Sequence, residues 1–177
     1  MIKRILIVGN GRAGKDVAAA ILSSITKLPY AGSISWAVKE LVAKALGIHP
    51  QIAWDSRHQH REEWYTICCR LRENDPTVLV RRALENGQIV TGARDRTEIL
   101  AARARNLFDK ILWIERPGIP EDFTVTFGPE NCDEVIVNDG TLDQFQRTLF
   151  RWAEKHGLIP ALYLSGKVPP TEDKIRE

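Results

Sequence analysis

Residues 5–16 read Ile-Leu-Ile-Val-Gly-Asn-Gly-Arg-Ala-Gly-Lys-Asp. The apolar run at 5–8 is typical of a strand buried in a parallel sheet, and the segment 17–22 favours a helix. Between them lies the spacing Gly-x-x-x-x-Gly-Lys, in which glycines let backbone N–H groups turn toward phosphate oxygens. The N-terminal end of the following helix attracts the same anion, and Lys15 adds a point charge. The stretch therefore predicts a phosphate-binding loop (P-loop) near the start of the chain.

The position of this motif between a predicted strand and a predicted helix is stronger evidence than the residue pattern itself. An ordinary glycine-rich turn between a strand and a helix can match so short a pattern. The predicted phosphate-binding residues form one run, which comprises Gly9, Asn10, Gly11, Arg12, Ala13, Gly14, Lys15, Asp16 and Val17. A P-loop lysine is usually followed by Ser or Thr, whose hydroxyl binds Mg²⁺, but here Asp16 follows it. A carboxylate is a hard ligand suited to Mg²⁺, and it is also favourable as an ordinary charge in the first turn of a helix. Asp16 is therefore the candidate metal ligand, with the simpler helix charge as the alternative.

The composition indicates one soluble domain. The chain has 177 residues, of which 44% are hydrophobic and 27% are charged, and a net charge of +2. These values give no indication of a nucleic-acid partner, and no apolar stretch approaches the length of a membrane span. The three cysteines, an odd number that includes the adjacent Cys68 and Cys69, do not suggest a disulfide framework. We therefore expect a cytoplasmic protein with neither a nucleic-acid nor a membrane partner.

Strands and helices are predicted to alternate along the chain. The predicted strands are 3–8, 88–91, 110–115 and 134–137, and the predicted helices are 15–25, 35–46, 52–72, 76–85, 97–107 and 141–156. The segment 26–33 is expected to be a loop or a short extended piece, and 117–132 is expected to be irregular. This order predicts an α/β fold, a parallel sheet with helices on both faces. Ligands of such sheets bind beyond the carboxyl ends of the strands, which selects the segments 92–96 and 138–140 and Arg116 in addition to the P-loop.

A helical block between the first helix and residue 88 is rich in arginine and aromatic residues. Arg57 and Arg61 are four residues apart and share a helix face, near which Trp54 and Trp64 or Tyr65 also fall. Guanidinium groups and aromatic planes suit a phosphate and a base. The alternative is a solvated helix face whose aromatic residues lie in the core, and the spacing alone favours neither.

The segment after the predicted strand 88–91 reads Gly92-Ala-Arg-Asp-Arg96. Arg94 is expected at the carboxyl edge of the sheet, facing the P-loop, where it could bind an acceptor phosphate or neutralise charge during transfer. Glu98, in the next helix, could orient Arg94 or form a hydrogen bond with the edge of a nucleotide base. This segment therefore predicts the second half of the site.

Three blocks of the sequence together resemble nucleoside monophosphate kinases, most closely the bacteriophage deoxynucleoside monophosphate kinases. The blocks are residues 9–16, 89–98 and 135–142, and the Gly-Lys-Asp ending of the first is common in the phage enzymes. The stretches 54–61 and 73–76 also look like the acceptor-binding insert of that group. The resemblance covers most of residues 3–155, and only the P-loop is specific by itself.

The resemblance implies a P-loop NTPase fold, a three-layer sandwich with a parallel sheet of five strands in a single kinase domain over residues 1–160. It also implies a helical insert for the nucleoside monophosphate at about 33–86, a short lid at about 116–132 and a C-terminal tail at 161–177. The implied cofactors are ATP and Mg²⁺, with a nucleoside monophosphate as substrate. A homodimer stays open, since helix faces that carry Trp36 or Trp152 could be core or interface.

The same resemblance assigns roles to individual residues. The implied catalytic residues are Lys15, Arg94 and Arg116, with Asp16 near the metal. The implied neighbours of the adenine are Asn138, Asp139 and Gly140. The implied acceptor-binding residues are Arg57, Arg61, Trp64, Arg94 and Glu98. If the protein is encoded by a phage, the expected location is the host cytoplasm.

Two departures from the family pattern keep other functions open. Related kinases often carry Asp at the position of Gly92, and Arg116 is the only arginine within 116–132. One rival is a dephospho-coenzyme A kinase, which the stretch 137–142 also resembles, although residues 26–34 offer no carboxylate base. The other rival is a P-loop protein that binds a nucleotide without transferring a phosphoryl group.

Overall fold

A single five-stranded parallel sheet forms the centre of the computed structural model, which describes residues 2–159. The strands are β1 Ile5–Val8, β2 Tyr30–Ser33, β3 Ile89–Thr91, β4 Lys110–Glu115 and β5 Glu134–Val137. Their spatial order is β2-β3-β1-β4-β5, and each neighbouring pair is parallel. This confirms the predicted α/β fold with a five-stranded parallel sheet and a P-loop after the first strand.

Helices cover both faces of the sheet. They are α1 Lys15–Thr26, α2 Ile34–Leu46, α3 Pro50–Asp55, α4 Arg61–Arg72, α5 Val78–Leu84, α6 Arg96–Ala104 and α7 Leu142–Lys155. Because successive side chains of a strand point to opposite faces, Ile5 and Ile7 pack toward α1 and α7. Leu6 and Val8 pack toward the helices α2–α6. No helix in the described part of the chain is long and apolar enough to cross a membrane.

The segment 30–33 is a short edge strand, β2, which is the extended one of the two alternatives that the sequence leaves open there. Tyr30 is paired with Ile89 and Ser33 with Thr91, with a shift of register between them. The backbone carbonyl of Pro29 accepts hydrogen bonds from the amides of Gln88 and Ile89 at 2.8 and 3.0 Å. A proline is tolerated at the start of an edge strand because no second neighbour needs its missing N–H.

The predicted helix 52–72 is two helices, α3 and α4, separated by a turn at 56–60. The hydroxyl of Ser56 donates to the carbonyl of Ile52 at 2.7 Å, and the amide of Gln59 donates to Ser56 at 2.8 Å. Such a local hydrogen bond from a serine side chain competes with continuation of a helix.

The predicted domain limits stay predictions. The predicted insert at about 33–86 holds α2–α5, and the predicted lid at about 116–132 is irregular apart from the 3₁₀ turn Pro129–Asn131. The predicted tail at 161–177 lies outside the described residues.

Candidate functional site

The P-loop turns between β1 and α1 in a way that requires glycine at two positions. Gly9 has φ +140°, and a Cβ atom there would lie 2.4 Å from the carbonyl oxygen of Ile114 on β4. Gly14 has φ +99°, and a Cβ atom there would lie 2.6 Å from Nδ2 of Asn138. Helix α1 begins directly after, at Lys15. The first turn of α1 therefore points its free N–H groups into the loop, as phosphate binding requires.

Lys15 lies across the loop that precedes it. Its Nζ donates to the carbonyl oxygen of Asn10 at 2.5 Å. Burial lowers the pKa of Lys15, and the positive charge of Arg94 lowers it further, while Asp16 and Asp122 act in the opposite direction. Lys15 and Arg94 are thus close enough to repel each other, so the region can accept a multiply charged anion between them.

A cleft of about 920 Å³ lies beyond the carboxyl ends of β1, β2 and β3. The P-loop lines one side of it, helices α2–α4 line the other, and the segment 120–123 closes a third side. This is where ligands bind in open parallel sheets. The structure brings Gly11, Arg12, Lys15, Asp16, Arg57, Arg61 and Arg94 together around this single space.

Asp16 is held by two hydroxyl groups from neighbouring strands. Its Oδ1 atom accepts hydrogen bonds from the Tyr30 hydroxyl at 2.8 Å and from Thr91 Oγ1 at 2.7 Å. The two hydroxyl oxygens are 3.0 Å apart. Burial raises the pKa of Tyr30, so the phenol keeps its proton at neutral pH. Sequence reasoning missed Tyr30, because its strand was not predicted with certainty and the contact joins three separate elements.

Arg94 is paired with a carboxylate, Asp122, that no sequence motif points to. Its NH1 group donates to Asp122 Oδ2 at 2.6 Å and to Thr124 Oγ1. The amide of Asp122 donates to Asn10 Oδ1 at 3.3 Å. Although burial alone would raise it, the pKa of Asp122 is held below its usual range by hydrogen bonds from Thr124 and by the Arg94 charge. Arg94, which is predicted to bind the acceptor phosphate, is therefore already paired with a carboxylate.

The wall opposite the P-loop is aromatic and cationic. The Trp36 and Trp54 rings meet edge to face with centroids 4.9 Å apart, and the Arg57 guanidinium lies 4.1 Å from the Trp54 ring centroid. Arg61 lines the same side of the cleft. Trp36 is 38% exposed, and the Nζ atom of Lys39 lies 3.2 Å from its ring centroid, so a cation already covers one face of the ring. The spacing of Trp36 within α2 matches the apolar face of that helix and so predicts a core or interface residue, whereas the structure places it in the cleft lining.

Two predicted acceptor-binding residues lie away from the cleft. Trp64 is 6% exposed and packs in the core, with its ring centroid 6.4 Å from that of Trp54. Glu98 is 1% exposed, and its Oε2 atom accepts from Arg72 NH1 at 3.4 Å. Trp64 lies on the buried face of α4, and Glu98 likewise lies on the buried face of α6. Glu98 does not orient Arg94, whose partners are Asp122 and Thr124.

The predicted residues after β4 and β5 also lie outside the cleft lining. Arg116 is exposed and makes no hydrogen bond or ion pair within residues 2–159. Asn138 instead supports the P-loop, since its Nδ2 donates to the carbonyl oxygen of Ala13 at 2.9 Å. Asp139 and Gly140 are exposed before α7, and Val17 is exposed on α1.

The donor chemistry of the cleft fits a magnesium ion bound with a nucleotide. Within residues 2–159, no group of three or more His, Cys, Asp or Glu side chains could hold a metal ion by itself. Mg²⁺ in nucleotide sites typically takes one or two carboxylates, with phosphate oxygens and water as its other ligands. Asp16, whose Oδ2 atom accepts no hydrogen bond from any described residue, can supply one such oxygen.

The sequence matches no protein-family model and no curated protein sequence. Solved structures do match its shape. A sugar kinase from Janibacter sp. HTCC2649, in an unliganded structure, is 16% identical with a TM-score of 0.46, covering 92% of this chain and 98% of that one. A protein from Chloroflexus aurantiacus, provisionally described as a kinase, is 16% identical with a TM-score of 0.44, covering 94% of this chain and 100% of that one. At this level of identity and superposition, the two matches define neither a reaction nor a substrate for this chain.

Proposed function

We propose that this protein transfers the γ-phosphoryl group of ATP to a nucleoside monophosphate, giving the nucleoside diphosphate and ADP. The observation that carries this proposal is the cleft in which Lys15 of the P-loop and Arg94 of the sheet edge face the wall of Trp36, Trp54 and Arg57. Lys15 suits the triphosphate, Arg94 suits an acceptor phosphate, and the aromatic wall suits a nucleotide base. The resemblance to bacteriophage deoxynucleoside monophosphate kinases supports a deoxynucleotide as the acceptor.

The donor side of the reaction rests on the P-loop. Backbone N–H groups at 11–15 and the Lys15 ammonium hold the β- and γ-phosphates. Asp16 would hold a Mg²⁺ ion beside these phosphates, where the ion would supply charge neutralisation. Asn138 keeps the loop in place through its hydrogen bond to Ala13. The adenine would lie outward from the loop, toward Asp139 and Gly140.

The acceptor side needs positioning rather than a strong base. A phosphate monoester is largely dianionic at neutral pH, so its oxygen is already a nucleophile. That oxygen forms the new bond to the γ-phosphorus while the bond to the β–γ bridging oxygen breaks, and the electron pair leaves with ADP. Arg94 would hold the acceptor phosphate and spread its charge, with Arg57 and Arg61 nearby. Arg116 would join them only if the segment 116–132 moved inward, which would also exclude water.

A second candidate function is nucleotide binding without transfer. Gly92 removes a carboxylate that related kinases often use, and Asp122 already occupies Arg94 at 2.6 Å. A protein in which this ion pair persisted would hold ATP and accept no second phosphate.

The deciding experiment incubates the protein with ATP, Mg²⁺ and each ribo- or deoxynucleoside monophosphate in turn, with dephospho-coenzyme A as an additional acceptor. Chromatography resolves ADP and the phosphorylated acceptor. We expect a diphosphate from at least one monophosphate, with turnover reduced at least about 10²-fold in Lys15→Ala and unchanged in Lys44→Ala, a control on α2. Binding of ATP without acceptor-dependent formation of ADP would identify the protein as one that binds a nucleotide without transferring a phosphoryl group. Product from dephospho-coenzyme A alone would identify the other kinase.

A further inference from the structure

We propose that Tyr30 and Thr91 are positioning residues that orient the Asp16 carboxylate toward the magnesium ion of the bound nucleotide. This inference rests on the proposed function and deepens it. It assigns roles to a phenol on β2 and a hydroxyl on β3, which are the two strands that flank the cleft on the insert side.

Both hydrogen bonds to the Asp16 side chain are accepted by one of its two carboxylate oxygens. Both hydroxyls lie within hydrogen-bond distance of the same oxygen, Oδ1, at 2.8 and 2.7 Å. Tyr30, Thr91 and Asp16 form a triangle with three short contacts, but the two hydroxyl groups have only two protons to donate. When both protons point at Oδ1, the 3.0 Å contact between the two hydroxyl oxygens is not a hydrogen bond. Two donors on one oxygen fix the plane of the carboxylate. Asp16 lines the cleft, and its other oxygen, Oδ2, accepts no hydrogen bond from any described residue, so the lone pairs of Oδ2 are available for a cation.

The local backbone explains why the carboxylate comes from Asp16 rather than from the end of β3. Gly92 has φ +91°, a conformation that strains any L-residue with a side chain. A Cβ atom there would make ordinary contact with the Cβ of Ser33, at 3.4 Å. An aspartate at 92 would therefore be disfavoured by backbone strain rather than by crowding. Tyr30 and Thr91 support the carboxylate of α1 from the same sheet edge.

A purely structural role for the triangle makes a different prediction. The contacts join α1 to β2 and β3, so they could simply stabilise the fold, and removing a hydroxyl would then lower the free energy of unfolding alone. A positioning role changes metal affinity as well, because partners that orient a ligand typically alter metal affinity by about 10–100-fold when they are mutated. Metal affinity and stability are therefore measured on the same variants.

The experiment uses Mn²⁺ as the probe and a non-hydrolysable ATP analogue as the nucleotide, with free Mn²⁺ followed by electron paramagnetic resonance. The variants are Tyr30→Phe and Thr91→Val, which keep the shape and remove the hydroxyl. Thr91→Ser keeps the hydroxyl, and Tyr65→Phe is the matched control because Tyr65 is 52% exposed and does not line the cleft. We expect Tyr30→Phe and Thr91→Val to weaken Mn²⁺ binding about tenfold. Thr91→Ser and Tyr65→Phe should bind Mn²⁺ as the wild type does.

Two further readouts make the outcome decisive. Nucleotide affinity without metal should be equal in all variants, and urea unfolding reports any loss of stability. Unchanged Mn²⁺ affinity in both Tyr30→Phe and Thr91→Val would overturn the inference, whatever their stability. If the wild type still transfers a phosphoryl group to a monophosphate, that result leaves the proposed function intact. A wild type that binds the nucleotide no better with Mn²⁺ than without it, and transfers nothing, would overturn both.

Discussion

The two sides of the cleft are built in different ways. On the P-loop side, the geometry is made by the backbone: Gly9 and Gly14 take positive φ values, and Lys15 bonds to the carbonyl oxygen of Asn10. On the insert side, the wall is made by side chains from different helices, with Trp36 on α2 and Trp54 on α3. A backbone site tolerates few substitutions at its glycines, whereas a side-chain wall can be altered without loss of the fold. The effects of mutation should therefore be largest on the P-loop side and graded on the other.

The largest effect is expected for Gly9→Ala. The added Cβ would lie 2.4 Å from the Ile114 carbonyl oxygen, which belongs to the backbone of β4 and cannot rotate away. Backbone strain and overpacking together should lower the free energy of unfolding by about 3 kcal/mol or more. Urea denaturation measures this change.

Gly47→Ala is the matched control for this effect. Gly47 has φ +68° and ends α2, but a Cβ atom there would meet nothing within 4 Å. It should cost only the conformational strain, about 1 kcal/mol. Equal losses in the two variants would show that close approach to β4 is not what makes Gly9 necessary.

The attachment of the insert side to the core should depend on pH through Glu98. Burial raises the pKa of Glu98 to about 7, against the attraction of Arg72 on α4. Between pH 4.5 and 7 the folded protein keeps a proton that the unfolded chain has released, so stability falls as pH rises through this window. Glu98→Gln should remove a pH dependence of about 3 kcal/mol from the free energy of unfolding.

Chemical denaturation at pH 4.5, 6 and 8 tests this prediction. The exposed Glu73 provides the control Glu73→Gln, which should keep the pH profile of the wild type. Parallel profiles for Glu98→Gln and the wild type would mean that Glu98 does not titrate in this range.

A smaller and more selective effect is expected for Trp36→Leu. The variant removes an aromatic ring that lines the cleft and has Lys39 over one face, while its neighbour Trp54 still packs against Trp64. Affinity for the acceptor should fall about tenfold, with ATP affinity unchanged. Isothermal titration with each nucleotide measures both. Tyr65→Leu, outside the cleft, should leave both affinities as they are, and a loss of ATP affinity in Trp36→Leu would place the donor on this wall.

The smallest effect is expected for Asp122→Asn. The acceptor phosphate must displace Asp122 from Arg94, whose side chain is 37% exposed. Neutralising this competitor should lower the KM for the monophosphate about threefold, since a partly exposed ion pair contributes little. Steady-state kinetics measures the change, with Asp143→Asn on α7 as the control. A higher KM would show that Asp122 helps to bind the acceptor instead of competing with it.

Local sequence was sufficient for the parts of the molecule that local backbone geometry controls. The P-loop spacing at 9–15, four of the five strands and the parallel sheet could be predicted, because apolar runs, glycines and helix caps act within a few residues. Local sequence was insufficient at two places: β2, which begins after Pro29, is one of two alternatives predicted for its segment, and the predicted helix 52–72 breaks at Ser56. In both places weak local preferences were decided by pairing and packing with other elements.

Only the tertiary structure decided which side chains meet in the cleft. Thr91 and Asp16 are 75 positions apart, and Asp122 and Arg94 are 28 apart, so no spacing rule connects them. The order of the strands brings Tyr30, Thr91 and Asp16 to one edge. Trp64 and Glu98 face the core for the same reason, since which side of a helix is buried depends on what packs against it. The sequence by itself determined the phosphate-binding loop, because its backbone carries the site. The structure decided the partners of that loop, because those partners come from elements that are distant in the chain.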